Sequence, residues 1–187
     1  MRSKVNDPDK LLCTFHCGES YNHLTKILEY RDEHGPIKYL GLGGMVGKSD
    51  FVLKGFLMKC FDIISKSSNP NIKVHAFGMT KYDYLNQFPF TSTDSTTWLM
   101  TASYGNIIIN TKPIYISDHG LLDNDNIINK SPIIKLEFEN KLKNYGYTLE
   151  ELTADYKKRR LFNLRSLWEW ANNYTPPKTT GVKIELF

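Results

Sequence analysis

Ile37-Lys38-Tyr39-Leu40-Gly41-Leu42-Gly43-Gly44 carries a β-prone apolar run directly into a glycine-rich turn. Ser49 then opens a segment in which Phe51, Val52, Phe56, Leu57, Cys60, Phe61 and Ile64 recur at helical spacing. A strand that ends in glycines and feeds a Ser-capped helix reads as one βα unit. The same pattern lies on both sides of it. Upstream, Leu11 to Phe15 is a short apolar run ending at Gly18, and Tyr21, Leu24, Ile27 and Leu28 follow at helical spacing until Gly35-Pro36. Downstream of a polar stretch from Ser65 to Asn71, Ile72 to Phe77 reads as a strand ending at Gly78, with Thr80 and Asp83 opening a short helix. Pro89 bars a long helix there. Phe90 to Asp94 reads as a fourth short strand, and Ser95 or Thr96 caps a segment holding Trp98, Leu99 and Met100.

Four βα units in succession imply an α/β fold with parallel strands, in which the carboxyl ends of the strands and their loops face one way. Those tips carry Cys17 and Gly18, then Gly41, Leu42, Gly43 and Gly44, then Phe77 and Gly78, then Asp94. Beyond residue 103 the pattern changes. Ile107 to Ile109 and Ile114 to Ile116 are brief β-prone runs that read as decoration, and Leu121 to Lys130 is an Asn/Asp-rich loop containing no period. Thr148 and Glu151 form a capping box. After it Leu152, Tyr156, Leu161, Leu164, Leu167 and Trp168 make an apolar stripe on a long helix reaching Tyr174, where Pro176-Pro177 follows.

The chain has 187 residues, of which 41% are hydrophobic, 24% charged and 13% aromatic. That length and apolar content suit one domain, 1–187, made of a βα part over 1–103 and an extension over 104–187. Disordered and collagen-like classes are excluded by composition. No apolar run reaches the ~18 residues of a membrane helix, and the start lacks the apolar stretch of a signal peptide, so a cytoplasmic location without membrane attachment is expected. Cys13, Cys17 and Cys60 are odd in number and read as free thiols in a reducing compartment. A net charge of +4 permits a nucleic-acid partner without requiring one.

The position of greatest chemical interest is Asp94, in Ser92-Thr93-Asp94-Ser95-Thr96-Thr97-Trp98. A carboxylate at the end of a barrel-type strand can attack an anomeric carbon without a metal, and the plain alternative is an Asp that caps the next helix. Cys13, His16 and Cys17, with Cys60 or His75, contain zinc-ligand residue types, but their spacing is not one of the common pairs, so no metal and no other cofactor is expected. His75, in mid-strand, is expected to pack or hydrogen-bond inside the barrel, and His119 falls in an uninformative loop. Tyr156 to Arg165 places Lys157, Lys158, Arg159, Arg160 and Arg165 beside aromatic residues. These five cations are candidates for phosphate contacts, and a solvated helix face is the alternative.

Tyr39 to Gly47, Val74-His75-Ala76-Phe77-Gly78-Met79-Thr80 and Ser92 to Trp98, in that order, resemble the last strands of the tRNA-guanine transglycosylase superfamily, in particular the branch of phages and mobile elements that places 7-deazaguanine bases in DNA. The resemblance covers about residues 11–103. It implies a partial TIM barrel, strands five to eight of eight. It also implies exchange of guanine for a 7-deazaguanine in DNA or tRNA through a covalent bond between an Asp and the ribose carbon. On this resemblance Asp94 falls on the nucleophile, Gly41, Leu42, Gly43 and Gly44 on the turn that approaches the base, and Gly78 on the next turn. Cys17, before Gly18, stands where the tRNA enzymes carry a base-reading Gln. The family's upstream Asp and its zinc motif have no counterpart here. Half a parallel barrel leaves two open edges, so a cover is expected from the C-terminal segment, a second copy of the chain, or a separately encoded N-terminal half. The alternative function is a non-catalytic nucleic-acid or nucleotide-binding accessory subunit derived from that family.

Overall fold

The computed structural model describes residues 4–79, 81–118 and 126–177, and the chain falls into two compact units, the first running to Ser95 and the second spanning Thr96–Tyr174. The first unit is α/β. Its strands β1 (Cys13–His16), β4 (Tyr39–Gly43), β5 (Lys73–Ala76) and β6 (Ser92–Thr93) form one parallel sheet in the order β1-β4-β5-β6. Helices α1 (Tyr21–Glu29), α2 (Asp50–Lys66) and α3 (Tyr82–Gln87) join consecutive members. Between α1 and β4 a two-residue ladder pairs β2 (Arg31–Asp32) with β3 (Gly35–Pro36), a small hairpin absent from the sequence reading. No closed barrel is present among the described residues. Thr80, expected to open α3, lies outside the described residues, as does His119.

The register sorts the side chains onto two faces. Phe15, Leu42, Ala76 and Thr93 are aligned across the strands, and so, one residue earlier, are Thr14, Gly41, His75 and Ser92. Alternate residues point to opposite faces, so each aligned row shares one. The Phe15 row is the apolar one: Phe15, Leu42 and Ala76 are fully buried, with the Phe15 ring 5.9 Å from that of Phe56 on α2 and 5.6 Å from that of Tyr21 on α1. Leu24, Leu28, Leu57 and Ile64 complete the packing on the helix side. Phe51 and Val52, placed on the apolar stripe of α2 by their spacing, are exposed, because the stripe that packs begins at Leu53. The second row is polar or bare, which is unusual for parallel strands, since these are ordinarily apolar on both faces.

The second unit contains α4 (Thr97–Ser103), an antiparallel hairpin of β7 (Asn106–Ile109) and β8 (Lys112–Tyr115), α5 (Pro132–Asn144), α6 (Leu149–Ala154) and α7 (Tyr156–Asn173). The runs read as decoration are thus a structural hairpin: Ile107, Ile109 and Ile116 pack with Phe138, Leu142, Leu152 and Phe162 in one apolar cluster. α4, read as the helix of a fourth βα unit, takes its partners inside this unit, where its Ala102 is buried and its Trp98 carbonyl accepts from Asn163 of α7.

The helix after the capping box is two helices. Thr148 and Glu151 do form the box, but it serves only the six residues of α6; Asp155 ends that helix and caps α7 by accepting from the Lys157 N–H. The expected stripe is also displaced: Leu161, Leu164 and Trp168 are exposed, whereas Arg159, Phe162, Asn163 and Ser166 form the buried face. Asn163 supplies the reason, because its Oδ1 accepts from the Ile108 N–H at 2.7 Å and its Nδ2 donates to the Trp98 and Asn106 carbonyls. A helix that must satisfy a hairpin's backbone turns an amide inward.

Glu151 accepts from the Lys158 ammonium at 2.7 Å and from the Thr148 backbone and hydroxyl, which together hold its carboxyl down to about 2 from an ordinary 4.5. A carboxylate depressed in the folded state adds stability above its unfolded pKa and loses it as pH falls through the folded value. Protein stability is therefore expected to decline between pH about 4.5 and about 2 by an amount that Glu151→Gln removes, read from urea denaturation across that range.

Candidate functional site

Asp94 directly follows β6, at the carboxyl end of the sheet, and its carboxylate is 63% exposed. Oδ1 accepts the Gly78 N–H at 2.8 Å, and the backbone N–H of Asp94 donates to the Ala76 carbonyl at 3.4 Å. Gly78 can turn this amide toward the carboxylate because its φ is +66°, a conformation that residues with a Cβ adopt at a cost, and a Cβ there would lie 2.8 Å from Val46. Oδ2 has no partner among the described residues. The role of helix cap is not taken, since no side-chain bond caps α4.

Beside Asp94, on the face opposite the Phe15 row, a line of polar side chains crosses three strands. The His75 Nε2 lies 3.6 Å from Oδ1 of Asp94, and its Nδ1 is 2.6 Å from the Ser92 hydroxyl, which in turn meets the Tyr39 hydroxyl. Phe77 stands edge-on to the imidazole, ring centres 4.5 Å apart. Ser92 and Asp94 are two residues apart, as are His75 and Phe77, so each pair projects to one face. That alternation in the sequence is the signal that would have joined His75, Ser92 and Tyr39 to Asp94.

The glycines of β4 have a different task from the one expected. Gly41, Leu42 and Gly43 lie within the strand, and only Gly44, at φ +68°, is in the turn. A Cβ on Gly41 would stand 2.5 Å from the Phe77 ring, and one on Gly43 would stand 2.8 Å from the His16 ring, so these glycines make room for the chain's own aromatic side chains. Leu42 is fully buried in the Phe15 row, on the helix side, and so points away from the face that carries His75 and Ser92. Cys17 donates its backbone N–H to the Gly43 carbonyl at 2.9 Å, and Gly18 follows at φ +104°. At the same rim Glu19 accepts the His16 N–H at 2.8 Å, a bond that, with the His23 and His16 imidazoles, lowers its carboxyl below the ordinary range.

Ser92, His75 and Asp94 are the residue types of an acyl-transfer triad, but their exposure runs the wrong way. A working triad buries the carboxylate and offers the hydroxyl to substrate, whereas here the carboxylate is open and the Ser92 hydroxyl is enclosed between Tyr39 and His75. Cys13, Cys17 and Cys60 form no disulfide, and burial pushes the Cys60 thiol far up, which removes it as a nucleophile. Among the described residues no group of three His, Cys, Asp or Glu side chains could hold a metal ion.

The cations of α7 separate into distinct roles. Arg159, expected at phosphate, is instead 4% exposed, with Nε donating to the Ala102 carbonyl and Nη1 to those of Leu152 and Thr153, because three carbonyls at the α6–α7 corner and the end of α4 need donors. Lys158 is paired with Glu151, and Arg165 with Glu169 and the Tyr145 carbonyl. Arg160 donates to the Ser103 hydroxyl and lies 4.7 Å over the Tyr156 ring, while Lys157 is exposed. No helix of the described residues is long and apolar enough to cross a membrane. No protein-family model, curated protein or solved structure matches the chain.

Proposed function

We propose that this chain is a transglycosylase- or glycosidase-type protein acting on guanine or a 7-deazaguanine in DNA or tRNA, with Asp94 as nucleophile. The observation that carries the reading is a carboxylate at a strand's carboxyl end with one oxygen bound to the Gly78 amide and the other open. Open carboxylates at that rim are where barrel enzymes place catalytic groups. The sheet is read as a segment of a (β/α) barrel because its strand order follows chain order without reversal, whereas a doubly wound sheet reverses at a switch point.

In the proposed reaction Asp94 Oδ2 forms a bond to C1′ as the C1′–N bond breaks, and the electron pair leaves with the base. The nitrogen of the incoming base then attacks C1′ and frees the carboxylate. The proton lost by the incoming base equals the one gained by the outgoing base, so exchange needs no net acid. Hydrolysis ordinarily requires a second carboxyl group as acid and base. A base inside a duplex must first be flipped out. The deciding measurement is the mass of a covalent protein–nucleic acid adduct formed with guanine-containing DNA or tRNA, and its loss in Asp94→Asn.

Among the described residues β1 and β6 are the outer strands of the sheet and pair on one side only, and this favours a second reading: a nucleic-acid- or nucleotide-binding subunit without the chemistry, or one whose sheet is completed by a second copy or a separate N-terminal half. Purine-dependent binding without any adduct, with or without such a half present, would establish it.

Phosphate contact from α7 is now assigned to Lys157 and Arg160. Replacing both by Gln is expected to reduce the slope of log K against log salt by up to roughly 1.8 for double-stranded DNA. An unchanged slope in a filter-binding titration removes this helix from the nucleic-acid surface.

A further inference from the structure

We propose that His75 is a positioning residue for Asp94, oriented through Ser92 and Tyr39 so that Oδ1 is held and Oδ2 is the atom offered to the ribose carbon; this rests on the nucleophilic role given to Asp94 above. A neutral imidazole has one donor and one acceptor nitrogen. If Nε2 carries the proton, it points at Asp94 Oδ1, and Nδ1 must accept; the Ser92 hydroxyl, 2.6 Å away, then donates to it and accepts from the Tyr39 hydroxyl. In that direction each of the two short contacts pairs a donor with an acceptor, and the Nε2 proton faces the carboxylate. The reverse direction sets a lone pair of Nε2 against a carboxylate oxygen.

The separation of 3.6 Å between Nε2 and Oδ1 is longer than a hydrogen bond, a looseness common in sites without substrate that tightens in the reacting complex. Oδ1 would then receive two donors, Gly78 N–H and His75 Nε2–H, and the carboxylate could not rotate to exchange its oxygens. The imidazole is itself confined: Phe77 packs edge-on against it and can do so only because Gly41 has no side chain where that ring sits. Tyr39, Gly41, His75, Phe77 and Ser92 thus form one support beneath Asp94. His75 is not placed as the acid for the leaving base, because in-line displacement puts the departing nitrogen on the side of C1′ away from the carboxylate and its neighbours.

Two measurements on the full chain test this. In a long-range 1H–15N correlation spectrum of the imidazoles, His75 is expected as the Nε2–H form, and Ser92→Ala should mix the two forms; a dominant Nδ1–H form in the wild type overturns the proposal. With a guanine-containing oligonucleotide and 7-deazaguanine, His75→Asn, whose amide reaches only toward Ser92, should lower kcat roughly 100-fold with KM for the base little changed. His75→Gln, whose amide nitrogen reaches the place of Nε2, should recover most of that loss. Equal activity in the two variants, or full activity in both, overturns it, and thermal melts establish that folded proteins are being compared. A wild type that shows the Nε2–H form but neither adduct nor exchange refutes the transglycosylase reading and leaves the orientation of His75 standing.

Discussion

Asp94→Asn is expected, on the proposed reaction, to abolish the covalent adduct and to lower base exchange by roughly 10,000-fold or more, since removal of the proposed nucleophile leaves only binding and positioning to accelerate the reaction. The substitution is close to isosteric. An Asn carbonyl oxygen at the place of Oδ1 still accepts the Gly78 N–H, so the turn at φ +66° keeps its partner and the fold should be preserved. What is lost is Oδ2, replaced by an amide nitrogen without nucleophilic electrons. Binding of the oligonucleotide should therefore change much less than turnover. A wild-type chain that forms adduct and an Asp94→Asn chain that forms it equally would move the covalent link to another side chain, while a loss of binding in step with turnover would make Asp94 a binding residue only. Gly78→Ala offers an independent check. It strains the positive φ and brings a Cβ within 2.8 Å of Val46, so the carboxylate loses its anchor while its charge remains. Turnover should fall by less than in Asp94→Asn, and the adduct should still form.

The first unit was legible because its signals are local. β1, β4 and β5 are apolar runs that end at glycines, and Ser49 caps α2 by accepting the Val52 N–H, as its position before the periodic segment implies. Asp94 could be singled out because its place at the end of a strand depends only on chain order. The second unit resisted the same reading. Its hairpin turns at Asn110 and Thr111, both at positive φ, in place of an Asn-Gly pair, so the two isoleucine runs gave no turn signal. α5 exposes Ile133, Ile134 and Leu136, which hides its helical period among the apolar residues that do pack. On α7 apolarity pointed to Leu161, Leu164 and Trp168, while the inward face is fixed by backbone groups of β7 and α4 that demand Asn163 and Arg159. The support beneath Asp94 was hidden for another reason. His75, Ser92 and Tyr39 lie 17 and 53 residues apart in the pairs that join them, and only the strand register brings them together.

Arg159→Leu is expected to cost the fold about 3–5 kcal/mol, among the largest effects of a single change in the second unit. The side chain is 4% exposed and donates to the Ala102 carbonyl at 2.9 Å and to those of Leu152 and Thr153 at 2.8 Å each. Leucine fills much of the volume but leaves the Leu152 and Thr153 carbonyls without these donors, each worth about 1–3 kcal/mol when stranded and not simply additive, while the Ala102 carbonyl keeps the Gly105 N–H at 3.2 Å. Burial pulls the guanidinium below its ordinary pKa, with Asp118, Asp155 and Tyr115 opposing that pull, so the charge is kept at a cost that its fixed hydrogen bonds offset. Arg159→Lys should recover only part of the loss, because one ammonium cannot reach carbonyls at both ends of the planar fork. Hydrogen exchange should localise the damage: the Ile108 amide, held by Asn163 one turn along α7, is expected to lose protection, while Leu42 in the parallel sheet is not. The alternative is equally plain to read. If Arg159→Leu melted like the wild type but bound nucleic acid more weakly, the buried guanidinium would have to be able to leave its three carbonyls for phosphate, and Arg159 would regain the role that its sequence suggested.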